Sequence, residues 1–177
     1  MTFKPPALLH ATDRSEKVTV NYELLARQLD ALLEDETDLL ANSANLVGLL
    51  FAEIPRLNWL GIYVLRGSEL VLGPFQGKPA CVRIPLGQGV CGRAAQRMES
   101  LLVADVNEFS GHISCDPASV SELVVPLISA GRVIGVLDVD SPHKRRFSID
   151  DQRGLELVCA CFVRLLERQR DDLQNFI

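Results

Sequence analysis

The sequence predicts an α+β fold, a central and mainly antiparallel sheet of five to six strands with N- and C-terminal helices on one face. Three observations predict it. Leucine-rich stripes at helical spacing stand at both ends of the chain, short β-branched and aromatic runs fill the middle, and glycine-bearing turns separate those runs closely enough to make hairpins. The 177 residues, 47% hydrophobic and 23% charged, have the composition of one globular domain rather than of a disordered chain. A chain of this length buries roughly 70% of its unfolded surface, so it needs no disulfide staples.

The elements follow in order. Residues 1–18, with Pro5-Pro6 and scattered charge, predict a flexible N-terminal arm, and residues 19–177 a single domain. Leu24, Leu25, Leu29, Leu32 and Leu33 form a first helical stripe, broken by Glu34, Asp35 and Glu36. Leu39, Leu40, Leu46, Val47, Leu50 and Phe51 form a second, closed by Pro55. Trp59-Leu60-Gly61-Ile62-Tyr63-Val64, the turn Arg66-Gly67-Ser68 and the run from Leu70 to Leu72 predict a hairpin. A third strand fits 81–84 and a fourth 100–106, with Gly87, Gly89 and Gly92 marking a tight loop into a short helix. Residues 123–129 and 133–140 flank Ala130-Gly131-Arg132, a second hairpin. Ser148, with Asp151 three residues on, starts an amphipathic helix through Leu155, Val158, Cys159, Phe162, Leu165 and Leu166.

Charge and cysteine usage restrict the function classes. The net charge of -5, from 23 acidic and 18 basic side chains, includes no long block of one sign, which argues against nucleic acid as partner. No run approaches the roughly 18 apolar residues that cross a bilayer, and Met1 to Lys17 lack the apolar core of a secretion signal, so a cytoplasmic protein without membrane contact is expected. In a reducing compartment the five cysteines, Cys81, Cys91, Cys115, Cys159 and Cys161, are thiols by default. Cys159 and Cys161, two apart on a helix, point about 200° from one another and read as packing. No Cys-x2-Cys knuckle is present and His112 and His143 are isolated, so no metal is expected.

Trp59-Leu60-Gly61-Ile62-Tyr63, the loop Gly87-Gln88-Gly89-Val90-Cys91-Gly92 and the closing hairpin from Val125-Pro126-Leu127 to Val133-Ile134-Gly135-Val136-Leu137-Asp138-Val139-Asp140 resemble a GAF domain over residues 20–167. Cysteines at 81, 91 and 115, the run Ile113-Ser114-Cys115-Asp116, and Glu122 upstream of Asp138 and Asp140 resemble, within that superfamily, the free methionine-(R)-sulfoxide reductases. The resemblance implies reduction of free L-methionine-(R)-sulfoxide to methionine, and Cys81 as the thiol that attacks an oxidised Cys115. It also implies Trp59 walling the pocket for the S-methyl end, and commonly a homodimer. Thioredoxin or another dithiol would restore the enzyme, with no bound cofactor. The alternative is a non-catalytic GAF sensor of a small molecule such as a cyclic nucleotide.

The residues themselves suit that chemistry. Reducing a sulfoxide takes a soft nucleophile at sulfur and an acid for the departing oxygen, a thiolate and a protonated carboxyl. Cys115 lies in a polar stretch, Gly111 to Pro117, where its thiol can reach a ligand, unless it is an incidental loop cysteine. Cys81, on a predicted strand, shares a face with Arg83, a place where a thiol usually only packs. Cys91, in the glycine loop, either relays disulfides with Cys81 or is a small buried side chain. Trp59 shares a strand face with Gly61 and Tyr63, with core packing as the plain alternative. Asp138 and Asp140 project from one strand face, and Glu122 and Asp140 each lie nine residues from Gly131, which brings them to the same end of the hairpin. Asp138 interrupts an apolar strand, a costly place for a carboxylate unless it is paired or protonated, whereas Asp140 beside Ser141-Pro142 could equally decorate a strand end. Three converging acids would hold the ammonium group of a free amino acid while one of them donates a proton.

Overall fold

The structure is a computed structural model and describes residues 19–113 and 116–168. Helices α1 (Tyr22–Leu33) and α2 (Leu39–Glu53) open the chain. Asn21 accepts the Leu24 N–H and Asp38 the Ala41 N–H, so each helix starts on a side-chain cap. Strands β1 (Trp59–Arg66), β2 (Glu69–Gln76) and β3 (Arg83–Pro85) follow, then helix α3 (Gly89–Arg97), β4 (Leu101–Val103), a 3-10 turn at Val106–Glu108, the long hairpin β5 (Ser121–Ser129) and β6 (Arg132–Ser141), and helix α4 (Ile149–Arg168). The six strands form one antiparallel sheet in the order β3-β2-β1-β6-β5-β4. The expected α+β architecture is the one observed. Among the described residues no helix is long and apolar enough to cross a membrane. The arm expected over residues 1–18 lies outside the described residues.

Side-chain alternation along the central strands sorts the molecule into two cores. Leu60 and Ile62 of β1, Leu123 and Val125 of β5, and Leu137 and Val139 of β6 face α1, α2 and α4 in the larger core, with Leu29, Leu50, Val158 and Phe162 from the helices. Trp59, Tyr63, Val124 and Val136 point to the other face, where α3 covers them with Val90, Cys91, Ala94 and Ala95. The terminal helices therefore share one face, as predicted, and leave the other to α3 and the segments beside it.

Several boundaries differ from the sequence expectation. In α1 the buried stripe is Leu25, Leu29 and Leu33, while Leu24 and Leu32 are exposed. The third strand begins at Arg83, not at 81: residues after Pro79 run beside β2, with Val82 O accepting the Leu72 N–H, but Cys81 precedes the ladder and does not share a strand face with Arg83. The fourth strand ends at Val103 because Asp105 turns the chain, its carboxylate accepting the Asn107 N–H. Cys91 is in the first turn of α3 rather than in the loop before it.

The closing helix is tied to the opening one. Ser148 and Asp151 cap each other, the Ser148 N–H donating to Asp151 Oδ2 at 2.8 Å and the Asp151 N–H to Ser148 Oγ at 3.2 Å. Asp151 Oδ1 accepts the Tyr22 hydroxyl at 2.7 Å, and Tyr22 lies over Gly154 where α1 meets α4. A Cβ at Gly154 would overlap the Tyr22 ring. Gly154→Ala is therefore expected to destabilise the protein by about 1–3 kcal/mol, the range for overpacking, as read by urea unfolding. An unchanged midpoint would show that the two helices separate without cost.

Candidate active site

The site is assembled by strand register. Asp140 of β6 pairs with Trp59 of β1 on one side and Glu122 of β5 on the other, and in the adjoining row Asp138 pairs with Gly61 and Val124. The three acids and Trp59 thus come to one end of one sheet face, as the position of the Gly131 turn predicted for Glu122 and Asp140. Ala130 and Gly131, with φ of 47° and 74°, make the two-residue turn that sets this pairing.

Trp59 is 2% exposed and stacks between Tyr63 and Phe75, with centroids at 5.9 and 5.6 Å. Its indole N–H donates to Lys78 O at 3.0 Å, and the Tyr63 hydroxyl donates to Cys81 O at 3.1 Å. Gly61 makes this arrangement sterically possible, since a Cβ there would strike both the Trp59 ring and Phe75. A flat aromatic wall therefore stands beside the acids, and it positions the backbone of Cys81. Cys81 is disulfide-bonded, whereas Cys91, Cys159 and Cys161 are free. Cys115 lies outside the described residues.

The opposite wall comes from α3. Cys91 sits in its first turn and its thiol donates to Glu122 Oε1 at 3.8 Å. A helix N-terminus ordinarily favours a thiolate. Here burial, followed by the carboxylates of Asp138 and Glu122, outweighs the helix and drives the Cys91 thiol well above its usual range. The acids respond alike. Burial pushes Asp138 up to about 6, and burial together with the Asp138 charge raises Glu122 and Asp140 well above ordinary carboxyl values. Asp138 Oδ1 is buried with no hydrogen-bond partner. A cluster of this kind holds protons to higher pH than free carboxyls do, and a cation placed inside it would draw them off.

Residues to which the sequence assigned no role complete the site. His112 Nε2 lies 3.7 Å from Glu122 Oε2, and burial lowers its pKa. Asp116 accepts the Ala118 N–H and the Asn58 amide and pairs with Lys78 Nζ at 3.4 Å, contacts that hold it below the usual carboxylate range. Asn58 Nδ2 also donates to Ser119 Oγ. Arg93 of α3 donates to Ser110 O at 2.6 Å and lies over the Phe109 ring, tying that loop to α3. These contacts join residues distant in sequence, so no spacing rule could find them. His112 and Asp116 had a local cue, their places three residues before Cys115 and directly after it.

Two small cavities, of about 30 and 10 Å³, meet at Asp116, Asp138 and Asp140; the first is lined also by Cys91, His112 and Glu122, the second by Trp59 and Tyr63. The sulfur of Cys91 and an oxygen each of Glu122 and Asp138 lie within 4.8 Å of one another, which makes them the metal-competent trio among the described residues. A larger groove of about 550 Å³ runs between α4 and β5, past Met98, Pro126, Glu156 and Cys159, but it brings together no comparable set of acids and thiols. Cys159 and Cys161 are buried in the helix-covered core, away from the acids, as the helical spacing implied.

Comparison with known proteins gives concordant results. Residues 41–161 match the GAF domain family. The free methionine-R-sulfoxide reductase of Escherichia coli (strain K12) is 48% identical over 145 residues, covering 82% of this chain and 88% of that one. The protein of the same name from Saccharomyces cerevisiae is 39% identical over 159 residues, covering 83% and 88%. A structure of fRMsr of Staphylococcus aureus in complex with substrate superposes with a TM-score of 0.81 at 44% identity, covering 85% of this chain and 99% of that one.

Proposed function

Because the chain belongs to the GAF domain family, on the branch of the free methionine-R-sulfoxide reductases, we propose that it reduces free L-methionine-(R)-sulfoxide with Cys115 as the attacking thiolate and Cys81 as the resolving thiol. The observation that carries this reading is the convergence of Glu122, Asp138 and Asp140, with raised pKa values, beside the Trp59 and Tyr63 rings. Cys115 attacks the sulfoxide sulfur, a protonated carboxyl delivers the proton the departing oxygen needs, and methionine leaves as Cys115 becomes a sulfenic acid. Cys81 then attacks that sulfur, a disulfide forms and water departs. Thioredoxin or another dithiol reduces the disulfide by exchange, without a bound cofactor. The participation of Cys81 in a disulfide, while Cys91 remains a free and buried thiol, supports this division of labour.

The acids have two tasks. The substrate ammonium favours their ionised forms, and the carboxyl that keeps its proton longest serves the oxygen. Trp59, which lines the smaller cavity, walls the S-methyl group. Cys91 acts through its hydrogen bond to Glu122, since its raised pKa leaves little thiolate for attack. An amino acid is larger than a cavity of about 30 Å³, so its walls part on binding. The proposal includes a single domain, because both cores share one sheet. It includes a homodimer as well, for which Leu24, Leu32 and Leu157 supply exposed apolar area. It also places the protein in the cytoplasm, where thiols stay reduced.

Cys81→Ser tests the resolving step. With excess substrate and thioredoxin it is expected to release about one methionine per subunit and then stall, because the first chemical step precedes resolution. Sustained thioredoxin-linked turnover would remove Cys81 from the mechanism.

A further inference from the structure

We infer that the floor of the pocket is also a reversible binding site for one thiophilic divalent cation of the Zn²⁺ type, held by Cys91 Sγ and one oxygen each from Glu122 and Asp138. The three ligand atoms come from α3, β5 and β6 and lie within 4.8 Å of one another, with the Cys91–Glu122 pair at 3.8 Å. Ligands bound to zinc at about 2.0–2.3 Å stand roughly 3.3–3.8 Å apart in a tetrahedron, so closure on a metal requires shifts of under about 1 Å.

A separate observation points into the same space. Asp138 Oδ1 is buried without a hydrogen-bond partner, and Asp138 as a whole is 7% exposed. An orphaned carboxylate oxygen in a closed cavity is costly unless a proton or a cation meets it. Lys78, the lysine paired with Asp116, lines neither cavity and leaves this oxygen unmet. The cavity of about 30 Å³ has room for a single ion. His112 lines it too, with Nε2 at 3.7 Å from Glu122 Oε2, but its nitrogens do not join the trio, so solvent would complete the tetrahedron. One thiolate and two carboxylates form a donor set that selects zinc or cobalt over magnesium or calcium, which prefer oxygen alone.

No electron moves on binding. The Cys91 thiol loses its proton to solvent as the sulfur–metal bond forms, and any proton held by Glu122 or Asp138 is released likewise. The metal neutralises the acids that would grip the substrate ammonium, so it is an inhibitor in competition with the amino acid. That competition rests on the proposed function, but metal binding itself does not.

Co²⁺ titration of the full chain, first oxidised so that Cys81 carries no free thiol, separates the two. Expected are one equivalent of Co²⁺ per chain and a thiolate-to-cobalt charge-transfer band with the visible bands of a tetrahedral ion. The band should vanish in Cys91→Ser, and Co²⁺ affinity should fall at least tenfold in Asp138→Asn, with folding of both variants verified by circular dichroism. Absence of the band in the parent protein, or its persistence in Cys91→Ser with loss in Cys161→Ala, overturns the site, the latter by moving it to the Cys161 thiol beside Asp30. If the band depends on Cys91 and Asp138 but free methionine sulfoxide does not displace the ion, the metal site stands and the assignment of the acids to the substrate amine falls.

Discussion

Cys115→Ser forms no methionine above the uncatalysed background, even in a single turnover with stoichiometric enzyme. A serine hydroxyl is a far weaker nucleophile than a thiolate at sulfur, and its oxygen cannot enter the sulfenic acid and disulfide sequence that completes the cycle. The acids, the aromatic wall and Cys81 remain in place in this variant, so loss of product is a loss of chemistry rather than of binding. Rapid quench with chromatographic detection of methionine distinguishes this from a slow recycling step. Retained single-turnover product would move the nucleophile to Cys91, although that thiol is buried among carboxylates that oppose its ionisation.

The free amino acid is expected to be preferred over its N-acetyl derivative by about two orders of magnitude or more in kcat/KM. An N-acylated substrate brings no ammonium, so the buried acids around Asp138 gain no cation on binding and the charge-assisted contacts to it, together worth about a few kcal/mol, are lost. Glu122→Gln should narrow the preference, because it removes one charge from the cluster while keeping its shape. Dithiothreitol is the reductant for both substrates, so recycling does not enter the ratio. Comparable rates would show that the acids do not hold the amine, and would favour a reductase of protein-bound methionine sulfoxide.

Much of the site was legible because it rests on local regularities. The two-residue turn at Ala130-Gly131 is a short-range signal, and strand alternation then carries Glu122, Asp138 and Asp140 to one face without further information. The mutual cap of Ser148 and Asp151 is likewise local. What could not be read depends on distant contacts. Cys81 stands before the third strand, which begins only at Arg83, and Tyr63, eighteen residues earlier, meets its carbonyl. Cys91 joins the acids only because α3 lies across β5 and β6, a placement that no spacing between 91 and 122 encodes. Lys78, Asn58 and Ser119 around Asp116 show the same limit, each being an ordinary polar residue until the fold brings them together.

Strand β6 carries Leu137 and Val139 on one side and Asp138 and Asp140 on the other, so a single ribbon is at once the middle of the oily interior and the base of the reactive pocket. Insertion or deletion of one residue within this strand would exchange the two sets, sending carboxylates among the helices and leucine into the pocket. The two functions of the strand cannot be uncoupled by small steps. Length changes are therefore expected to be tolerated only at the ends of the sheet and in the surface connections, and a change of ligand to require substitution on the pocket side of strands of fixed length.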